Sequence, residues 1–328
     1  MPDKFSKDSN AVRYWLDKSY SDCRPYLPPL RLDISITTDC NSRCSYCWHQ
    51  KKSGSLLTFD LIRPVIESLV LRKPPKLNIT GGEPTIWPEF ERLIGYAKES
   101  GINSILLCTN GRRLADMEFV RRIVRLGVSA INLSLDTLDP DKFSALRGYP
   151  LSEAQEAVAN CTRIRKEYPA LSLTLCSVMS RQVNPDDLLG VRRFCDRFRL
   201  GYFVQTFDKT GYPLINKKFL LSEAEKTKYH HKLFWLKDKV GKAVKRRGNL
   251  FAGGNEIKCY KGITTVKLSS DGKVSFCWNS RPIGNILESS FAEIWGSAEA
   301  KEVREYIRDR RCKCDFDCDV FESLELLD

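Results

Sequence analysis

The chain has 328 residues, 42% of them hydrophobic, a proportion that suits a packed globular protein and excludes an intrinsically disordered one. No run reaches the roughly 20 apolar residues that cross a bilayer, and the first ten residues lack the apolar stretch of a secretory signal, so a cytoplasmic chain with no transmembrane segment is expected. The formal charge of +12 suits an anionic partner such as a phosphorylated substrate, RNA or an anionic lipid surface, but the basic residues are dispersed over 120–126, 191–199, 241–247 and 308–313. That spacing is typical of solvated helix faces, and nucleic acid is not the favoured partner.

From Leu30 onward, short apolar or alternating runs take turns with segments of helical period. Strands are predicted at 30–36, 76–80, 104–109, 130–136, 171–179 and 201–206, and helices near 58–72, 87–100, 113–127, 151–168 and 185–198. This alternation predicts βα units on a parallel sheet, with functional residues at the carboxyl ends of the strands. The stretch 221–247 reads as one long charged helix opened by a capping box of Ser222 and Glu225. Beyond it the alternation stops: 249–255 reads as a loop, 264–278 as two short strands about an Asp-Gly turn, and 290–309 as a final helix.

The thirteen cysteines are too many to be incidental, and a reducing compartment disfavours a disulfide framework, which leaves metal ligation. Cys40, Cys44 and Cys47 form a C-x3-C-x2-C array just after the first strand, so three thiolates can converge from one loop. A [4Fe-4S] cluster normally takes four cysteines, and three leave one iron open to a small molecule bearing an amine and a carboxylate. The alternative is a structural zinc with His49 as fourth ligand, although zinc sites usually combine two separated ligand pairs.

This array, with Tyr46 just before its last cysteine, resembles the hallmark of the radical S-adenosylmethionine (radical SAM) superfamily. TGGEPT at 80–85, after the second strand, resembles that family's GGE segment, and CTNG at 108–111 and SLDTLDPDKFSALRG at 134–148 follow in register. The resemblance implies a partial (β/α)6 barrel in which Cys40, Cys44 and Cys47 hold a [4Fe-4S] cluster and Tyr46 lies against the adenine of S-adenosylmethionine. It further implies that Gly81, Gly82 and Glu83 receive the methionyl amino group and that Ser134 and Asp136 face the ribose and carboxylate. Asn184 matches a cofactor-binding asparagine of the family or caps the helix that starts at Pro185, and Arg147 reaches the cofactor carboxylate or pairs on the surface.

Five cysteines follow in the last part of the chain: Cys259, Cys277, Cys312, Cys314 and Cys318. With the intervening hairpin and helix they resemble the SPASM and twitch extensions that hold auxiliary [4Fe-4S] clusters. Full SPASM regions carry more than five cysteines, so one auxiliary cluster is implied, on Cys259, Cys277, Cys314 and Cys318, with Cys312 able to replace Cys314. A structural zinc on the same thiolates is the competing reading.

The expectation is therefore an α/β protein: an N-terminal lead-in at 1–29, a partial radical SAM barrel at 30–208, a linking helical segment at 209–250 and a small twitch-like region at 251–328. The resemblance implies an oxidoreductase or maturase that cleaves S-adenosylmethionine and abstracts hydrogen from a small molecule, lipid or peptide, supplied with electrons by a flavodoxin or ferredoxin. An RNA-modifying enzyme and a non-catalytic zinc-stabilised binding protein are the alternatives.

Overall fold

The computed structural model describes residues 9–26, 28–47, 54–70, 75–206, 217–222, 224–225, 229, 259–277, 280–309 and 311. Six parallel strands form the body of one sheet: β1 Arg31–Ser35, β2 Lys76–Thr80, β3 Ser104–Thr109, β4 Ala130–Ser134, β5 Ser172–Met179 and β6 Gly201–Thr206. Between them run α2 Phe59–Leu69, α3 Phe90–Glu99, α4 Met117–Leu126, α5 Pro140–Arg147, α6 Leu151–Glu167 and α7 Pro185–Phe198, following α1 at Ser9–Asp22. The architecture is an open, partial (β/α)6 barrel.

Alternation along each strand divides the sheet. Leu32, Ile34, Leu77, Ile79, Ile105, Leu107, Ile131, Leu133, Leu173 and Leu175 point one way and share a core with the helices. Asp33, Asn78, Cys108, Asn132, Ser134, Thr174 and Cys176 occupy the alternate positions, so the inner face is polar and half-buried. Parallel register lines up Cys108, Asn132 and Thr174 on neighbouring strands.

Local chemistry fixes where helices start. Thr58, Asp116, Asp139 and Asn184 cap α2, α4, α5 and α7 through their side chains, and Pro140 and Pro185 occupy the first turns that follow. The Asp116 cap also divides the helix expected at 113–127 into a 3-10 turn at Arg112–Ala115 and α4. Ser297 likewise splits the expected final helix into α9 Phe291–Gly296 and α10 Ala298–Arg308, because its hydroxyl accepts the Ala300 N–H.

The hairpin of the last region is not a separate unit. After a short α8 at Lys261–Thr264, β7 Thr265–Leu268 pairs in parallel with β1, and β8 Lys273–Ser275 and β9 Gly284–Asn285 follow antiparallel. The sheet thus runs β6-β5-β4-β3-β2-β1-β7-β8-β9, with the C-terminal hairpin extending the barrel edge. α1 packs against this extension, the Tyr260 hydroxyl donating to Asp17 at 2.6 Å and the Tyr20 hydroxyl to the Arg308 carbonyl at 3.2 Å. Of the predicted 221–247 helix, the Ser222–Glu225 capping box is formed, and nearly all the rest lies outside the described residues, as does 249–255.

Candidate active site

The loop bearing Cys40, Cys44 and Cys47 leaves the carboxyl end of β1, and its base is closed where the Thr38 N–H donates to the Gly54 carbonyl at 3.0 Å. The GGE segment after β2 is bolted to the loop entrance. Gly82 N donates to Thr37 O at 2.6 Å and Glu83 N to Asp39 O at 2.8 Å. A Cβ on Gly82 would stand 2.1 Å from Asp39 O, and Gly81 holds φ +130 with its own virtual Cβ 2.5 Å from Thr37 O, so this contact admits no side chain at either position.

The Glu83 carboxylate is engaged by the protein's own donors. It is fully buried and accepts from Thr85 N at 3.2 Å, Thr85 Oγ1 at 2.6 Å, Thr109 Oγ1 at 2.8 Å and Asn110 N at 2.8 Å. Burial raises its pKa against these four donors, and the carboxylate locks the GGE segment to the end of β3. From there Asn110 reaches the cysteine loop, donating to Asn41 Oδ1 at 2.7 Å and to Cys40 Sγ at 3.7 Å.

On the opposite flank the loop docks on the end of α5, a helix not anticipated from the sequence. Ser45 N donates to Leu146 O at 2.8 Å and Arg43 N to Arg147 O at 3.3 Å, and the Ser42 hydroxyl also donates to Arg147 O. Tyr46 donates its hydroxyl to Asp136 Oδ2, which also accepts from Arg147 Nε at 2.7 Å, while Asp136 Oδ1 accepts from Val178 N at 2.9 Å. Tyr46, Asp136 and Arg147 are all buried. Arg147 is therefore not a surface residue: burial alone would pull its guanidinium down, yet Asp136 beside it holds its pKa well above the ordinary value. Burial pushes the Tyr46 phenol well above its usual range, so it is the protonated donor of the trio.

Cys40 has donors of its own. Ser42 N donates to Cys40 Sγ at 3.4 Å, and the Ser42 hydroxyl lies 3.5 Å from Cys44 Sγ. Burial raises the Cys40 thiol pKa. N–H groups aimed at sulfur are what a thiolate-held iron–sulfur cluster uses to stabilise its charge, and the donor set fits such a group. Among the described residues, no three His, Cys, Asp or Glu side chains converge on a single-ion site.

The other expected residues fall as follows. Ser134 ends β4 half-buried on the inner face. Asn184 is exposed and caps α7, accepting from Asp186 N at 2.8 Å and Asp187 N at 3.1 Å, with Asp187 returning a bond to Asn184 N. Cys259 and Cys277 are half-buried on either side of the β7–β8 hairpin, while Cys312, Cys314 and Cys318 lie outside the described residues, as does His49. The sequence reading missed Ser42 and singled out Asn110 only as part of CTNG. The signal for the dock was present in Asp139-Pro140, a cap followed by an N1 proline.

Residues 34–195 match the model of the Radical SAM superfamily, and residues 259–319 match SPASM, an iron–sulfur cluster-binding domain. A GTP 3',8-cyclase of Clostridium botulinum (strain Langeland) is 25% identical over 279 residues, covering 80% of this chain and 86% of that protein. The 7,8-dihydro-6-hydroxymethylpterin dimethyltransferase of Methanocaldococcus jannaschii is 28% identical over 168 residues, 49% of this chain, and the match spans only 32% of that protein. Streptococcus suis SuiB bound to its precursor peptide SuiA shares the fold, with a TM-score of 0.63 at 17% identity over 89% of this chain and 70% of SuiB. No helix among the described residues is long and apolar enough to cross a membrane. The chain belongs to the radical SAM superfamily, enzymes that work with S-adenosylmethionine and an iron–sulfur cluster, and it carries a C-terminal SPASM region.

Proposed function

We propose that the chain is a radical SAM oxidoreductase or maturase that oxidises or rearranges a polar substrate by hydrogen abstraction, with one auxiliary [4Fe-4S] cluster. Cys40, Cys44 and Cys47 would hold a [4Fe-4S] cluster, which together with S-adenosylmethionine would supply the radical chemistry for removing hydrogen from an unactivated carbon. The observation that carries this reading is the single loop presenting three cysteines after β1, clamped between the GGE segment and α5.

The chain's own residues bind and orient. The Gly81 and Gly82 carbonyls accept no hydrogen bond among the described residues, which suits them to receive an ammonium group, while Glu83 supports them from behind. Ser134, on the inner face, is placed for a ribose hydroxyl. Tyr46, Asp136 and Arg147 act by fixing the cysteine loop, and Asn184 is assigned to helix capping. At the auxiliary site Cys259 and Cys277 join Cys314 and Cys318, with Cys312 the alternative to Cys314.

The inner face argues for a polar substrate over a lipid. Asn132, Ser134 and Thr174 line it with half-buried polar side chains. Such a lining suits a ligand with several hydrogen-bond donors and acceptors. A peptide, as in the SuiB complex, and a small polar molecule, as in the cyclase, both meet that requirement. The +12 charge supports RNA as the second reading, which predicts retention on tRNA that weakens steeply with salt. A flavodoxin or ferredoxin is the proposed electron donor.

Metal analysis of anaerobically purified protein tests the redox reading directly. About eight irons and matching sulfide per chain are expected for two clusters. Zinc without iron or sulfide would refute it and leave a zinc-stabilised binding protein.

A further inference from the structure

Arg304 lies in α10 with 3% of its surface exposed, and no carboxylate among the described residues pairs with it. The one ionisable group acting on its charge is Cys23, whose thiol is itself buried and pushed up by that burial, hence uncharged at neutral pH. A buried guanidinium without an anion is costly, and burial lowers its pKa to about 10. Nearby, Trp295 Nε1 is the one buried side-chain polar atom without a hydrogen-bond partner among the described residues.

What Arg304 touches is specific. Its Nε donates to Gly262 O and a terminal nitrogen donates to Trp295 O, both at 2.8 Å. The guanidinium stands 4.8 Å from the Phe276 ring centroid and 4.7 Å from that of Trp295, and the two rings meet edge to face at 5.6 Å. Gly262 comes three residues after Cys259, Phe276 immediately precedes Cys277, and α10 ends four residues before Cys312. One side chain thereby joins the stretches of chain that carry Cys259 and Cys277, from the helix that precedes Cys312 in sequence. The joint is tight, since a Cβ on Gly262 would lie 3.0 Å from Arg304 Cγ and 3.6 Å from Phe276 Cδ2.

We propose that Arg304 is the positioning residue of the auxiliary iron–sulfur site: it clamps the backbone after Cys259 to the ring before Cys277, and its buried charge offsets that of the anionic thiolate cluster. The inference rests on the reading that Cys259 and Cys277 hold iron. Net charge and surrounding hydrogen bonds set the potential of such clusters, so the residue has an electrochemical signature that a purely structural one lacks.

The test compares the full-length wild type with Arg304→Met, Arg304→Lys and Gly262→Ala after anaerobic iron–sulfide reconstitution. Iron content, Mössbauer and EPR spectra, and potentiometric titration are the readouts. Arg304→Met is expected to lose about half of the iron, about four atoms of eight, while the signal of the cluster on Cys40, Cys44 and Cys47 persists. Any auxiliary cluster it retains should have a more negative midpoint potential, and Arg304→Lys, keeping the charge without the fork, should fall between the two. Gly262→Ala pushes on the arginine stem without touching its charge and should also lower auxiliary iron, which decides the matter if Arg304→Met fails to fold. Full iron in both Arg304→Met and Gly262→Ala, with the auxiliary potential unchanged, would overturn the proposal. Wild-type protein with about four irons, or with zinc on the C-terminal cysteines, would instead overturn the underlying reading before any variant is compared.

Discussion

The Tyr46 hydroxyl and the Arg147 guanidinium meet on one oxygen of Asp136, so the cysteine loop, the end of β4 and the end of α5 close on a single buried carboxylate. Asp136 is fully buried, and removing it would leave a buried guanidinium unpaired. Asp136→Ala is therefore expected to destabilise the protein by about 3–5 kcal/mol, and Tyr46→Phe, which removes one bond to a charged acceptor, by about 1.5–3 kcal/mol. Anaerobic urea denaturation measures both, and losses under 1 kcal/mol in the two variants would mean that the trio does not hold the loop.

Glu83 gives stability a pH dependence whose sign follows from its raised pKa. The folded state binds its proton more tightly than the unfolded state, so this contribution is fully present below the unfolded value near 4.5 and is lost as pH rises through the folded value. The stability advantage of wild type over Glu83→Gln should accordingly shrink as pH is raised through that window. A constant or growing advantage would show that Glu83 does not titrate in the buried position described.

Gly82 packs its backbone against Asp39 with no room for a methyl group. Gly82→Ala is expected to fold but to displace the loop entrance, cutting iron loading at the first cluster and S-adenosylmethionine binding at least tenfold. Retention of wild-type affinity in an equilibrium binding assay would show that the close approach is not required.

Cys259→Ala and Cys277→Ala separate the two proposed clusters. Each should lose the auxiliary iron while still releasing some 5'-deoxyadenosine uncoupled from product. Complete loss of cofactor cleavage in both variants, with the protein folded, would argue against two independent centres.

Much of the fold was legible because period is a local property: all six barrel strands and the helices α2, α3, α6 and α7 fall where alternation and helical spacing put them. Pairing partners are not local. The hairpin at 264–278 was readable as two strands, but nothing in its residues announces that β7 joins β1 and continues the barrel sheet. α5 was hidden inside a polar segment, although Asp139-Pro140 is a start signal, and α1 lay in a stretch read only as a lead-in. Motif spacing located the cysteine loop and the GGE segment, whereas the direction of a carboxylate was invisible. Glu83 turns inward to four donors and Arg147 finds Asp136 because neither charge could be buried alone, and that is a property of the assembled site.

The central claim is that the loop of Cys40, Cys44 and Cys47 cleaves S-adenosylmethionine reductively. It is tested most directly by chromatographic detection of 5'-deoxyadenosine from anaerobic, iron- and sulfide-reconstituted protein given S-adenosylmethionine and dithionite. Time-dependent release by the wild type, absent in Cys44→Ala of equal fold, is predicted. No release from wild type that demonstrably holds its clusters, or equal release from Cys44→Ala, would contradict the account.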